Sequence, residues 1–533
     1  MGARQRPGDG AERGAVFDGE GMTELAQRVT TPVHLVARVS DGLLGLADGR
    51  SAAPGPGHGL VPVGTLPALY PEWLGERTFG QAHGVRFPYV AGEMARGIST
   101  VSLVAAMARA DMLAFFGAAG LRPAEVERAV HELRTGLADR RNWGVNLIHT
   151  PGDASLEEQV ADRLLGAGVP CVSASAFMEL TPAVVRCAAT GLRQDRAGRI
   201  VRPTALFAKV SRPELAQAFM SPAPAALLRH LVEHGRLTEY EAGLATRVPV
   251  AEDITVEADS GGHTDRRPLA ALLPAVVCLR DELAARQRLA RPVRVGAAGG
   301  LGDPAAVAAA FALGAAYVVT GSVNQMSVEA GVCGAAKAML AEADIADTAM
   351  APAADMFEMG AQVQVLRRGT LFAGRAARLE RVYRGYPSLD AVPAAERRAL
   401  EREVLGASVD AVWAWTYEYW TRRDPAEAAR AEADPKHRMA LVFRWYLGQS
   451  NRWAVTGDPH RRADYQLWCG PAAGAFNRWS AGSFLAEPGH RTVVQIALNL
   501  LRGAAVVTRA HQLRTCGVAL PPRAFRFRPR RLR

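Results

Sequence analysis

The sequence predicts an α/β fold: a (β/α)8 TIM barrel with a mostly helical C-terminal region and a small N-terminal hairpin segment. Two observations carry this expectation. From about residue 85, eight apolar strand candidates alternate with helical segments over roughly 250 residues, the usual span of such a barrel. The last two strand candidates each end in a glycine-rich loop, the place where a (β/α)8 barrel holds phosphate.

The N-terminal 27 residues are Gly-, Arg- and acid-rich and read as disordered. Residues 31–49, TPVHLVARVSDGLLGLADG, alternate like a hairpin with Asp41-Gly42 as its turn. Ser51–Gly59 is a Pro/Gly linker. The strand candidates follow as Phe87–Ala91, Met112–Gly117, Gly144–Ile148, Val169–Ala174, Ala205–Val210, Asp253–Ala258, Val293–Ala297 and Tyr317–Thr320. Helical patterns fall between them at Ser99–Arg109, Ala124–Thr135, Ser155–Ala167, Pro182–Ala189, Pro224–Glu233, Leu269–Arg288 and Pro304–Leu313, with a short piece at Glu241–Thr246. Beyond about 345 the alternation stops, and residues 395–450 are helical in period and rich in Trp, Tyr, Arg and Glu. The expected organisation is a disordered N-terminus with hairpin and linker (1–60), the barrel (61–345), a helical region packed on its mouth (346–522) and a basic tail (523–533).

Strand seven leads into VGAAGGLG and a helix opening at Asp303-Pro304, an N-cap followed by a residue suited to the first helical position. Gly296, Gly299, Gly300 and Gly302 allow close backbone approach, and the helix start offers N–H groups to an anion. Thr320-Gly321-Ser322 supplies a second set of donors. The spacing is neither the G-x-G-x-x-G of a dinucleotide fold nor a Walker loop.

The chain has 533 residues and a net charge of +10. Six arginines lie in the final RAFRFRPRRLR, leaving about +4 for the body, so nucleic acid is not an expected partner and the tail reads as a solvated end. The N-terminus has no apolar signal core, and no apolar run of membrane-spanning length stands out; a cytoplasmic, non-membrane protein is expected. Six cysteines without a C-x-x-C pair suggest free thiols, and the His and acid spacings form no metal ligand set.

Polar residues gather at the predicted C-terminal strand ends: Gly92-Glu93-Met94 after strand one, Asn146 and His149 on strand three, Ser173 and Ser175 on strand four, Lys209 on strand five, and EADSGGH ending at His263 after strand six. His263 follows Gly261-Gly262, which let the chain turn and present the imidazole over the mouth as an acid/base group, with Glu257, Asp259 and Asp265 close in sequence. Lys209 inside an apolar strand needs a partner, either a cofactor edge or phosphate or a strand-six carboxylate. His149 is a further substrate-side candidate.

From about Leu66 onward the chain resembles the PfaD family of flavin-dependent enoyl reductases, within the nitronate monooxygenase-like superfamily. The stretches that carry the resemblance are YVAGEMARGIS, WGVNLIHTP, VSASAFMELTPAVVR, FAKVSRPE, DITVEADSGGHTDRRPL, RVGAAGGLGDPAAVAAAFALGAAYVVTGSVNQ, APAADMFEMGAQVQVLRRGT and DPKHRMALVFRWYLG. The resemblance implies FMN, its phosphate on Gly299-Gly300 and Gly321-Ser322 and its ring near Gly92, Met94, Asn146 and Lys209. Ser175, Gly261 and Gly262 complete that set, and His263 lies on the reactive side. Glu93 and Arg96 stand where the family usually has small or amide residues, Val332-Cys333 where Thr-Ser is usual, and Ala473 where Met is common.

The implied activity is trans-acting reduction of 2-enoyl chains on an acyl carrier protein, in polyketide or polyunsaturated fatty acid biosynthesis. NADPH or NADH would be the reductant, and imidazolium His263 would protonate the α-carbon or polarise the thioester carbonyl. Alternatives are a nitronate monooxygenase, with the same histidine as base and O₂ as oxidant, and a non-catalytic scaffold docking on a synthase. The oligomeric state is left open.

Overall fold

A computed structural model describes residues 11–12, 14–55, 58–289 and 291–533. All eight expected strands form: Tyr89–Ala91, Leu113–Phe116, Gly144–Ile148, Cys171–Ser175, Ala205–Val210, Asp253–Glu257, Arg294–Ala298 and Val318–Thr320. They pair in parallel, in chain order, and close where strand eight meets strand one, with Val318 opposite Tyr89 and Thr320 opposite Ala91. The chain is therefore a (β/α)8 barrel. One barrel-flanking helix, Pro213–Phe219, escapes the periodicity reading because it is only seven residues long.

The N-terminal end of the barrel is plugged. Helix Arg77–His83 puts Phe79 beneath the strands, stacked on Tyr317 at 4.4 Å and edge-on to Phe207. Gly296 belongs to this packing, not to a ligand cradle: a Cβ there would lie 2.4 Å from the Tyr317 ring. Below the aromatics, buried Asp253 accepts from Arg294 Nε at 2.6 Å, from Arg294 Nη2 at 2.7 Å and from His83 Nε2 at 2.9 Å. A ligand therefore reaches the interior from the C-terminal strand ends.

The N-terminal segment departs from expectation. Val33–Arg38 and Leu44–Asp48 form the predicted hairpin, but as the centre of a five-stranded antiparallel sheet with Ala11–Glu12, Ala15–Val16 and Leu60–Leu66. Helix Gly19–Gln27 lies in the stretch expected to be disordered. Asp18 caps it, and Met22 and Ala26 bury one face against Leu35, Leu513 and Val518. Residues 1–10 of that stretch, and residues 56–57 of the expected linker, lie outside the described residues.

The C-terminal region adds a second core around Phe372, Val412, Phe443 and Tyr446, built from helices Phe372–Gly385, Val409–Arg423 and Pro435–Thr456. Helix Val493–Thr515 is long and apolar enough to cross a membrane, yet 72% of that window is buried inside the protein. It packs on the helix after strand seven so closely that a Cβ on Gly503 would meet Pro304 at 2.4 Å.

The Arg-rich tail is not a free end. Phe527 is buried beside Val29 and Val506, and its carbonyl accepts from Trp479 Nε1 at 2.8 Å. The Leu532 carbonyl accepts from Gln495 Nε2 at 2.6 Å. Two phenylalanines and a leucine between the arginines supply the apolar anchors that a charge count passes over.

Candidate functional site

The loops at the C-terminal strand ends meet the C-terminal region at one rim. The loop after strand six is not a free turn. Gly262–His263 forms a short strand paired with Gln362–Leu366, which in turn pairs with Thr348–Pro352. Buried Gln364 holds the loop from below, donating to Asp259 Oδ1 and to the Ser260 carbonyl, each at 2.7 Å. Gly261 is tight for a different reason than exposure to ligand: a Cβ there would meet the Cys469 backbone at 2.8 Å, whereas Gly262 adopts φ +84 beside Trp468.

This clamp fixes His263. Its Nε2 faces Asp355 Oδ1 at 3.1 Å, and the imidazole is 33% exposed. Burial alone would lower the His263 pKa, but the Asp355 carboxylate, with Glu257 further off, outweighs it and the net direction is up. Asp355 moves the opposite way: burial pushes it up, but His263 pulls it below the usual carboxylate range.

Lys209 resolves in favour of the carboxylate partner. Its Nζ lies 2.9 Å from Glu257 Oε1 on strand six and 3.5 Å from Glu93 Oε1 after strand one. Ser173 donates to Glu93 at 3.1 Å and Ser260 to Glu257 at 3.3 Å, so the network crosses four strand ends. Burial disfavours the ammonium, but two carboxylates outweigh it and push the Lys209 pKa up. Burial raises Glu93, against the pull of Lys209.

Asn146 is buried and fully engaged: its Oδ1 accepts from Ala119 N at 3.1 Å and its Nδ2 donates to Ser175 Oγ at 2.6 Å. It ties strands three and four to the loop after strand two. Gly92 and Met94 are fixed by Ser99, which donates to the Gly92 carbonyl at 2.9 Å and accepts from Met94 N at 3.1 Å. His149 is withdrawn from the rim: it is buried, paired with Glu157 Oε2 at 3.0 Å and stacked on Phe177.

The loops after strands seven and eight form a cradle, with one correction. Asp303 takes the Ala305 and Ala306 N–H groups at 2.7 and 3.0 Å, so the helix start is capped by its own carboxylate. Gly302 gives way to the Ala472 carbonyl, not to a ligand. Gly299 and Gly300 have φ +90 and +72, and neither Gly300 nor Gly321 has an atom within 4 Å of a built Cβ. Ser322 Oγ accepts from Gly470 N at 3.0 Å, leaving its O–H as a donor. Open room beside two glycines and a hydroxyl fits a phosphate.

Sequence reasoning missed Asp355, Gln364 and Gly470 as members of the rim, although Asp355 and Gln364 lie within the motif APAADMFEMGAQVQVLRRGT. A concavity of about 570 Å³ lined by Arg134, Arg140 and Trp143 lies at the opposite, N-terminal side of strands three and four, away from this constellation. No group of three or more His, Cys, Asp or Glu suited to a metal occurs among the described residues.

Fold and rim together define a TIM barrel with open glycine loops at strands seven and eight and a histidine at strand six. The barrel fold recurs in a protein of known structure. The crystal structure of the enoyl reductase domain of MlnA, from the macrolactin biosynthesis cluster of Bacillus amyloliquefaciens, is 36% identical with a TM-score of 0.79, covering 83% of this chain and 99% of that one. A polyunsaturated fatty acid synthase component of Thraustochytrium sp. (strain ATCC 26185 / S-3) is 44% identical over 450 residues, covering 83% of this chain and 30% of its own. Polyketide biosynthesis protein PksE of Bacillus subtilis (strain 168) is 41% identical over 436 residues, covering 82% and 56%. The chain thus spans about half or less of the length of these two curated relatives. Residues 386–465 match the family described as [Acyl-carrier-protein] S-malonyltransferase, inserted helical domain. The chain belongs to the PfaD family.

Proposed function

We propose that this protein is an FMN-dependent enoyl reductase that reduces the 2,3 double bond of enoyl thioesters carried on an acyl carrier protein, with NADPH or NADH as reductant. The observation that carries the reading is the His263–Asp355 pair at the barrel mouth. Support also comes from the relative of known structure, which is named an enoyl reductase domain, and from the relatives named for polyunsaturated fatty acid and polyketide biosynthesis.

Gly299, Gly300, Gly321 and Ser322 would hold the FMN phosphate, and Gly92, Met94, Asn146, Ser175, Lys209 and Gly262 would border its ring; Gly261, expected in that set, is taken up by the Cys469 backbone. Bound FMN would supply hydride transfer from the nicotinamide to the β-carbon of the enoyl group. The chain's own task is then to meet the negative charge that develops on the thioester carbonyl and α-carbon. His263, held protonated by Asp355, delivers a proton to the α-carbon or donates to the carbonyl oxygen. The upward pKa direction suits an acid and works against a histidine that must abstract a proton, the role a nitronate monooxygenase would require.

The test is turnover of a 2-butenoyl-carrier protein by the flavin-loaded protein, followed through nicotinamide oxidation. Oxidation should accelerate with the thioester and yield the saturated chain. No acceleration, or a His263→Ala variant with full flavin content and undiminished reduction, would sink the reading or the role of His263 respectively.

A further inference from the structure

Among the described residues, Arg96 makes no ion pair. It follows Met94 in the loop after strand one and sits in the left-handed backbone region at φ 56, a conformation that costs free energy for a residue with a side chain. Its stem covers Gly120, with Cγ 3.3 Å from where a Cβ would stand, and its Nη2 reaches to 3.7 Å from a built Cβ on Gly448. It therefore bridges from the barrel rim to helix Pro435–Thr456. Arg452 lies one turn beyond Gly448 on the same face of that helix. Among the described residues, neither guanidinium makes an ion pair or a side-chain hydrogen bond, although the C-terminal region is otherwise laced with Arg–carboxylate pairs such as Arg378–Glu396 and Arg444–Glu358. Burial, with Arg452 as a like charge, lowers the Arg96 pKa, while Tyr419 and Asp355 act against that. Asp355, the partner of His263, and Tyr419, exposed on helix Val409–Arg423, are thus both within electrostatic reach of Arg96.

We propose that Arg96 and Arg452 bind a phosphate group entering the barrel mouth, so that a phosphorylated arm is held while its far end reaches His263. This rests on the enoyl reductase reading only for the source of the phosphate: the phosphopantetheine arm of the carrier protein or the 2′-phosphate of NADPH. A strained, half-buried, uncompensated guanidinium is costly in the empty protein, and an anion removes that cost. Two arginines suit a phosphate because planar guanidinium groups donate paired N–H bonds to its oxygens.

The experiment is calorimetric titration of the flavin-loaded protein with phosphopantetheine and with pantetheine, alongside NADPH and NADH. In the wild type one phosphorylated member of these pairs should bind about tenfold or more tightly than its partner, as a charge-assisted contact gives. In Arg96→Gln and in Arg452→Gln that preference should collapse toward equal binding. Collapse in the pantetheine pair assigns the carrier arm; collapse in the NADPH/NADH pair assigns the reductant. Arg452 is exposed on a helix, so its substitution tests the site without endangering the fold. A preference retained in both variants, or absent from the wild type, overturns the proposal. If the preference behaves as expected but no enoyl thioester is reduced, the anion site stands and the enoyl reductase reading falls.

Discussion

His263 and Asp355 are 92 residues apart in sequence and 3.1 Å apart in space, Nε2 to Oδ1. One comes from the barrel and the other from the segment that follows it, so the pair forms only when the C-terminal region packs on the rim. Asp355 raises the His263 pKa above its ordinary value of 6.5, so the imidazolium persists to higher pH than that of a free histidine. Reduction should therefore fall as pH rises through that raised value. Asp355→Asn should move this limb of the kcat profile to lower pH. In stability, the His263 contribution is present below its unfolded value and lost as pH rises through the folded one, whereas that of Asp355 is present above its unfolded value and lost as pH falls. Both side chains are about a third or more exposed, so the pair contributes less than about 1 kcal/mol. An unchanged limb in Asp355→Asn would remove Asp355 from this role.

Lys209 is the only base between Glu93 and Glu257 in the network that crosses the mouth. Lys209→Met should leave two carboxylates facing each other with little solvent and cost about 3–5 kcal/mol in urea unfolding. Adding Glu93→Gln should recover a large part of that loss, since a neutral amide still accepts from Ser173. If the double variant is no more stable than Lys209→Met, repulsion between the carboxylates is not what the lysine relieves.

The barrel was legible because burial on both faces makes its strands continuous apolar runs, and each helix carries its own start signal. The place of the glycine loops and of His263 at the barrel mouth was legible because they sit at strand ends, whose positions follow from the count. The Arg–Asp–His network under the barrel and the Asp355 contact were not, since each joins segments that only the closed fold brings together. Glycine was the least reliable guide. Gly296, Gly261 and Gly302 read like ligand glycines but make room for Tyr317, Cys469 and Ala472, whereas Gly300 and Gly321 face open space. The sequence of a loop does not distinguish a glycine that admits a ligand from one that admits a neighbour.

That distinction gives a clean substitution. Gly321 has no atom within 4 Å of a built Cβ, so Gly321→Val should leave the flavin-free protein within about 0.5 kcal/mol of the wild type. The same side chain would occupy the phosphate cradle, and FMN should bind at least about tenfold more weakly by fluorescence titration. Undiminished FMN affinity would move the phosphate away from this loop.

The tail makes a prediction opposite to that of a solvated end. Removing residues 523–533 strips Phe527 from Val29 and Val506 and leaves the Trp479 N–H without its carbonyl. Burial of one phenylalanine contributes roughly 1.5–3 kcal/mol, so the truncated protein should melt several degrees lower in calorimetry. Unchanged melting would mean that these contacts add nothing in solution.

At the other end of the barrel, Asp253 is fully buried between Arg294 and His83. Burial pushes its carboxyl up, but the contacts with His83 and Arg294 outweigh it and hold it below its ordinary 3.8. Its contribution is therefore present above its unfolded value and lost as pH falls through the folded one. Asp253→Asn keeps the size but leaves the guanidinium of Arg294 buried without its counterion, and should cost about 3–5 kcal/mol at pH 7. The loss should shrink as the wild type is acidified toward pH 3, because protonation removes the same charge. Since the Phe79 plug separates Asp253 from the mouth, enoyl reduction per bound flavin should stay within about twofold of the wild type, about 0.4 kcal/mol in barrier. Urea midpoints at pH 7 and pH 3, with turnover normalised to flavin content, check both halves: a variant as stable as the wild type at pH 7 would show that the ion network does not hold the barrel floor, and one crippled in turnover while fully flavin-loaded would show that floor and mouth are coupled.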